Sequence, residues 1–443
     1  MNLLIPHGRM ADKYLSWAAQ EMGHAVHFMC NYQETNKLGE TRRDCLPNYW
    51  KPVQTRFDLD MNHATYQHWY AEQIRNYVVD NGIDAILPCS SMDAVMREVA
   101  WVNEDLNLPG IRPHQARFVA DKSVYLQDMK ESGILVPDIY EIVEPGSEPT
   151  NYDIRYPCIA KPALGCGGFG VFIAYNADQL KWFFGSSDRP SDFSERGAFY
   201  QDHDENGKPK SYLHFGMGGR YIIQKYLPGP CVSVSGVTTK SVLDLSCVYD
   251  IGVTKPPTCS EMIHSWPCDL LRADSVAELV LSKINRKFRH RELFPDGAFM
   301  ADFILHEHDL YLIDFSTRMA SAGTKVLYHA CEDRLSYPRN VVHAVLGEYE
   351  KIVEENPTKP THCEYFPFPK GRLSNVSYPD ITESDTAVIE ECVTPIQDGS
   401  YVYEMRNDVQ VLDRGWVNAV GKTRHDARSL VEMYISGIQY DVD

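Results

Sequence analysis

A mixed architecture is predicted for this chain: an α/β opening of parallel-sheet character, followed by a mixture of strands and helices and a small C-terminal α+β part. Three stretches predict it. Residues 2–30 alternate a short apolar strand, an amphipathic helix and a second apolar strand, which is the β-α-β order of a parallel sheet. Tyr156 to Tyr175, YPCIAKPALGCGGFGVFIAY, sets Gly165, Gly167, Gly168 and Gly170 between two β-prone runs. GAFMADFILHEHD followed by LYLIDFSTRMA reads as a pair of strands turning through HEHD.

The chain has 443 residues, too many for one compact core, so two or three domains are expected. Hydrophobic residues make up 44% and charged residues 23%, the proportions of a soluble globular protein. A formal net charge of −18 argues against nucleic acid or an anionic membrane as the main partner. No uncharged run approaches the roughly 18 residues of a membrane span, and the N-terminal apolar stretch is too short for a signal peptide. Twelve cysteines without a C-x-x-C pair read as free thiols in a reducing compartment. A cytoplasmic protein is the expectation.

In the opening unit, the first turn carries Gly8 alone. A dinucleotide fingerprint is therefore absent, and a redox role loses its main support. A loop-like stretch over residues 31–62 precedes a helix near Tyr66 to Asn81, and IDAILPCSS is a buried strand running into a helix start at Ser90 to Asp93. The free N–H groups there either cap the helix or meet a substrate, capping being the plainer reading. LNLPG closes the first domain near residue 115. VADKSVYLQDMKESGILVPDIY is a helix ended by Gly133, with Pro137 in an extended exit. Lys122 at its start opposes the helix dipole unless something negative lies nearby. It is either a phosphate ligand or a solvated lysine.

The glycine cluster leaves backbone N–H groups open to close approach because no Cβ is in the way. Such a loop suits phosphate, and Lys161 just before it can place a point charge on the same group; a mobile turn is the alternative. Cys166 reads as a small filler. The spacing fits neither G-x-x-x-x-G-K-[ST] nor a Rossmann turn. Residues 185–219 form a polar excursion of the kind found in a mobile lid. RYIIQKYLPGPCVSVSGV gives a strand, a turn at Pro228 to Pro230 and another strand, which SVLDLSCVYDIGVTK continues. PPTCSEMIHSWPCDLL reads as a long loop with His264 and Trp266 in its middle, placed to contact substrate. After a helix from Ser275 to about Arg289 come the two hairpin strands. Asp314, Ser316 and Arg318 share one face by the period-two rule, and Asp302 lies on the neighbouring strand. Two carboxylates beside an oxygen ligand suit Mg²⁺; paired aspartates at a sheet edge are the equal alternative. From about Pro360 short strands, turns and a final helix capped by Thr423 suggest a small accessory domain.

Taken together, these pieces resemble the ATP-grasp superfamily, and within it the carboxylate–amine ligase branch typified by amino-acid ligases. The likeness runs in order from Asp121–Lys122 through KPALGCGGFGV, IIQKYLPG and ADF to LIDFSTRMA. It implies an ATP-grasp fold with an N-terminal Rossmann-like α/β domain over 1–115, an ATP-grasp domain over 116–359 with a lid at about 155–228, and a C-terminal accessory domain over 360–443. By resemblance, Lys122 and Lys161 hold the α- and β-phosphates of ATP, and Gly165, Gly167, Gly168 and Gly170 close over the triphosphate. Gln224, Lys225, Tyr226 and Leu227 line the adenine. Asp302, Asp314 and Ser316 hold Mg²⁺, with Mn²⁺ as a substitute, and Arg318 steadies the acyl phosphate or substrate carboxylate.

The sequence departs from the family at three points. Asp314 stands where Glu is usual, Ser316 where Asn is usual, and Cys231 near the place of the acid that contacts ribose. The implied reaction joins a small-molecule carboxylate to an amine with release of ADP and phosphate. A biotin-carboxylase-like carboxylase and a non-catalytic ATP-binding module are the alternatives. Related ligases are often dimers, which makes a homodimer compatible with the resemblance.

Overall fold

A computed structural model describes residues 1–6, 12–31, 55–59, 69–88, 93–144, 147–151, 153–163, 171–185, 201–203, 209–211, 220–253, 261–269, 273–402 and 414–443. The first unit comprises β1 (Asn2–Ile5), α1 (Asp12–Glu21), β2 (Ala25–Asn31), β3 (Thr55–Leu59), α2 (Trp69–Asn81), β4 (Ala85–Ile86) and α3 (Asp93–Asp105). Its sheet has the order β3-β2-β1-β4, and every pairing is parallel. Leu3, Leu4 and Ile5 are fully buried, as expected for a central parallel strand covered on both faces. His7 and Gly8 of the expected first turn, and Ser90 of the expected helix start, lie outside the described residues.

Two helices lead out of this unit, α4 (Pro113–Ala120) and α5 (Lys122–Glu131). Pro113 opens α4, where a missing N–H costs nothing. Asp121 caps α5 by accepting from Ser123 N at 2.9 Å. Gly133, one residue past the C-cap Ser132, has φ +80° and releases the chain.

The next strands are β5 (Ile139–Val143), β6 (Cys158–Pro162) and β7 (Phe172–Ala174), followed by α6 (Ala177–Gly185), the small pair β8 (Gln201–His203) and β9 (Pro209–Ser211), and β10 (Tyr221–Lys225). They form an antiparallel sheet of order β5-β10-β6-β7. Phe183, Phe184 and Tyr221 pack beneath it with α6. The glycine cluster lies between β6 and β7, and Gly165, Gly167, Gly168 and Gly170 are outside the described residues.

β11 (Cys231–Thr239), β12 (Val242–Val253), β13 (Glu261–Trp266), α7 (Ala273–Phe288), β14 (Gly297–His306) and β15 (Asp309–Ser316) follow. Then come α8 (Ser321–Ala330), α9 (Ser336–Val345), β16 (Thr361–Tyr365), β17 (Gly371–Ser377), β18 (Ala387–Val393), β19 (Tyr401–Val402), β20 (Trp416–Gly421), α10 (Arg424–Ser436) and β21 (Gln439–Val442). The central sheet has the order β15-β14-β11-β12-β13-β16-β20-β18, antiparallel throughout. One face carries α5 and α7 over Phe294, Phe299, Phe303 and Phe315. Part of the other packs α8, α9 and the first sheet around Tyr249, Leu327 and Val341. Fully burying one such side chain contributes about 1.5–3 kcal/mol. Helix α8 lies close on β11 because Gly323 has no side chain: a Cβ there would stand 1.9 Å from Ser235 Oγ.

Three expectations change, the first being that β3 (Thr55–Leu59) is a strand within the stretch over 31–62 that reads as a loop. PPTCSEMIHSWPCDLL is not a continuous loop, because Glu261–Trp266 is a strand between β12 and β16. The prolines on either side give it a loop-like composition, while the six residues between them contain neither Pro nor Gly. The C-terminal strands also do more than build an accessory piece. β16, β20 and β18 extend the central sheet, and β19-β17-β21 forms a small sheet beside them. Thr423 caps α10 in a reciprocal box with Asp426, as its position before the helix implies. Among the described residues, no helix is long and apolar enough to cross a membrane.

Candidate active site

The candidate site lies where β15, β14 and β6 meet the start of α5. Lys122 begins α5, where a cation is disfavoured by the helix dipole. A negative group compensates: its Nζ stands 3.1 Å from Asp314 Oδ1. Tyr125, one turn further along α5, donates to the same oxygen at 2.6 Å and accepts from Phe315 N at 3.1 Å. Lys161 comes from β6 and is 7% exposed. Its Nζ donates to Ile313 O at 2.8 Å, which ties the smaller sheet to the edge of the central one.

These neighbours divide the carboxylates electrostatically. Burial alone would raise the pKa of Asp314, but Lys122 and Lys161, with the Tyr125 hydroxyl, hold it below the usual carboxylate value. Asp302 pairs with Asp314 across β14 and β15 and accepts from Ser233 Oγ at 2.6 Å. Burial first, then the charges of Glu261 and Asp314, push its pKa well above the usual value. Glu261 on β13 is lifted to about 7 by burial, with Arg318 opposing and Asp314 adding to the rise. Burial likewise lowers Lys161 to about 8, Asp314 resisting and Lys122 assisting. The result is a buried patch with an ionised aspartate between two lysines and two further carboxyls held toward their neutral forms.

Such crowding is the condition a divalent cation relieves, since carboxylates that repel one another in a dry site are drawn together by shared hard oxygen ligation. The donor set of Asp302, Asp314 and the buried Ser316 hydroxyl fits Mg²⁺ chemically. Arg318, two residues beyond the end of β15 and buried, bears electrostatically on both Glu261 and Asp302.

The nucleotide-binding expectations fall on β10 and its exit. Gln224 is buried and Lys225 is exposed. Gln224 Oε1 is fully buried with no hydrogen-bond partner among the described residues, so it can take a donor from a ligand. The β5–β10 register shifts at Gln224, while the pairing of β10 with β6 stays regular there. Lys225 N donates to Asp138 O at 2.8 Å, Tyr226 is partly buried and Leu227 is buried.

His264 and Trp266 occupy one strand but different surroundings. The His264 ring is buried between Tyr249 and Tyr365, with Nε2 3.2 Å from Glu261 Oε2. Burial, then Lys325 and His362, hold its pKa well below the usual value, so it stays neutral. Trp266 packs instead against the apolar cluster shared by the first sheet, α8 and α9.

Sequence reasoning missed Glu261, Ser233, Tyr125 and Lys325. Lys325 on α8 is buried, donates to Tyr365 Oη at 2.6 Å and sits 4.7 Å from the Trp416 ring centre. A lysine beside the Ala322–Val326–Ala330 stripe of an apolar helix is the one local signal that could have marked it. Glu261 carries no comparable signal until the strand order is known.

No family model and no curated protein sequence matches the chain. Solved structures do. The crystal structure of an L-amino acid ligase from Bacillus licheniformis is similar at a TM-score of 0.72 and 13% identity, over 100% of this chain and 98% of that one. The biotin carboxylase domain of 2-oxoglutarate carboxylase from Hydrogenobacter thermophilus is similar at 0.69 and 15%, covering 100% and 90%. A phosphoribosylglycinamide synthetase from Anaerococcus prevotii is similar at 0.64 and 15%, covering 100% and 99%. With the order of its sheets and this likeness over its whole length, the chain has the ATP-grasp fold.

Proposed function

We propose that the protein is an ATP-dependent carboxylate–amine ligase. The observation that carries the reading is the placement of Lys122 and Lys161 around Asp314, directly across the hairpin from Asp302. This grouping of cations and hard-oxygen acids suits a polyphosphate and its metal ion. Lys122 and Lys161 bind the phosphates, the unpartnered Gln224 Oε1 takes a donor from the base, and Arg318 receives the substrate carboxylate. Asp302, Asp314 and Ser316 would hold Mg²⁺, which when bound neutralises charge on the phosphates.

In the first step a carboxylate oxygen forms a bond to the γ-phosphorus, and the bond from that phosphorus to the β–γ bridging oxygen breaks, releasing ADP. The two lysines and Arg318 counter the charge that gathers on the leaving group and the acyl phosphate. In the second step an amine forms a bond to the acyl carbon and inorganic phosphate leaves. The amine must lose a proton, and Glu261, with its pKa near 7 beside neutral His264, is suited to accept it. The similarity to an L-amino acid ligase supports small amino acids as the first substrates to try.

The test is phosphate release with Mg-ATP and pools of carboxylic acids and amines, each active pool examined by mass spectrometry. Release that needs both an acid and an amine, and yields a condensed mass, supports the ligase. Bicarbonate-dependent release would instead identify a carboxylase. Nucleotide binding with no release from any pool would identify a non-catalytic module.

A further inference from the structure

A cavity of about 800 Å³ lies apart from this site. Asp296 on its wall stands immediately before β14 and precedes Asp302 by six residues, a separation of about 20 Å at strand rise. The volume falls in the range of small-molecule sites. Four cationic side chains reach it from three parts of the chain: Arg112 before α4, Lys240 at the β11–β12 turn, and Arg286 and Arg289 at the end of α7. Two carboxylates, of Glu292 and Asp296, also line it. Asp296 is already engaged, accepting from Lys240 N and from Tyr349 Oη, both at 2.5 Å.

Cations at a helix C-terminus complement its dipole, and this accounts for Arg286 and Arg289 alone. It does not account for Arg112 and Lys240, which come from other elements. Neither Arg286 nor Arg289 is paired with a carboxylate among the described residues, and both are exposed. In a chain with net charge −18, a cavity with excess positive charge has been set apart from the general surface.

The wall is also built rather than incidental. Lys240 and Ser241 turn the β11–β12 hairpin at φ +50° and +59°, where Asn and Gly are the usual residues. Hydrogen bonds hold the turn in place: Lys240 N to Asp296, and Ser241 Oγ to Phe294 O at 2.8 Å. Asn285 adds a bracket on Leu243, accepting from its N at 2.8 Å and donating to its O at 2.9 Å. Two positive φ values in succession are what a two-residue hairpin turn requires, as Glu307 and His308 also show, so it is the anchoring of this turn that fixes the wall. Pro109, Val345 and Leu346 supply an apolar wall, which a bare inorganic ion would not use.

We infer that this cavity binds a small organic anion bearing two or more negative charges. Its acidic groups lie against the guanidinium groups of Arg286, Arg289 and Arg112, whose planar forks suit carboxylate and phosphate alike. Its carbon skeleton covers the apolar wall.

Isothermal titration calorimetry with citrate and with fructose 1,6-bisphosphate, as a polycarboxylate and a phosphate ester, tests the inference and distinguishes the two sources of charge. Binding of either probe is expected in the full-length protein. It should persist in Lys161→Ala and in Arg117→Gln, an exposed arginine on α4 outside the cavity. It should weaken by at least about tenfold in Arg286→Gln/Arg289→Gln, a pair of exposed substitutions whose folding is checked by an unchanged thermal melt. Four results overturn the inference: no binding of either probe at millimolar concentration, undiminished binding in the double variant, loss in Lys161→Ala, or an equal loss in Arg117→Gln.

Discussion

Replacing Lys161 by Met separates what its ammonium does for chemistry from what it does for the fold. Burial, opposed by Asp314 and Asp302 and assisted by Lys122, brings its pKa from 10.5 to about 8. That gap corresponds to about 3 kcal/mol of charge-burial cost at neutral pH. The hydrogen bond from Nζ to Ile313 O returns about 1.5–3 kcal/mol, as a bond from a charged donor. Met keeps an unbranched chain in the same space, so the two effects nearly cancel. Urea unfolding at pH 7 should differ from that of the unsubstituted protein by less than about 2 kcal/mol, whichever the sign.

The pH dependence is more discriminating. Between about 8 and 10.5 the unfolded lysine holds a proton that the folded one has released. Stability contributed through this group therefore rises with pH across that window, by up to about 1.4 kcal/mol per pH unit, and the variant should lack this slope. Phosphate release, by contrast, should fall by about 10²–10³-fold. A loss of more than about 4 kcal/mol at pH 7 would refute the cancellation. Identical pH slopes would refute the buried charge, and undiminished phosphate release would refute the phosphate-holding role.

Glu261→Gln should lower condensation by about 10²-fold and remove the acidic limb of the rate profile. In the unsubstituted protein that limb falls as pH drops, because the carboxylate form is lost, at or below the value of about 7 that burial and Asp314 set without a cation; a limb that survives in the variant rules out Glu261 as the proton acceptor. Tyr125→Phe deletes the donor to Asp314 at 2.6 Å but leaves Phe315 N its 2.9 Å bond to Asp314. Denaturant unfolding should show a cost of about 1–2 kcal/mol, and no change would mean that the two lysines and Phe315 N secure Asp314 without the hydroxyl. Gly323→Ala drives a Cβ into Ser235 Oγ, an overpacking worth about 1–3 kcal/mol. Adding Ser235→Gly should recover most of that loss in the same unfolding assay, and failure to recover it would place the strain elsewhere.

What could be read from the sequence depended on how far apart the interacting residues lie along the chain. Asp302 and Asp314 belong to one hairpin, and the period-two pattern with the HEHD turn brings them opposite each other. Lys122 was ambiguous for a stated electrostatic reason, namely a cation at a helix start, and a carboxylate 192 positions away resolves it. GCGGFG reads as a phosphate loop or a mobile turn through its glycines, and its residues lie outside the described ones.

Glu261 shows why the remainder could not be read locally. Its segment looks like a loop because prolines flank it, yet it pairs antiparallel with β12 on one side and, from Ile263 onward, with β16, about 100 residues later, on the other. Neither the pattern of β13 nor that of β16 specifies the other as its neighbour. Their pairing follows from the C-terminal part adding strands to the central sheet, which turns a stretch that reads as an accessory domain into one wall of the candidate site. His264 is then supported from both sides, by Ile251 on β12 and by Cys363 and Tyr365 on β16, while Glu261, 3.2 Å from its ring, pairs with Val253 on β12. The proton-accepting group of the proposed reaction thus depends, through His264, on residues of the C-terminal part, Cys363 and Tyr365. Substitutions that loosen β16 should therefore impair amine transfer before they impair nucleotide binding.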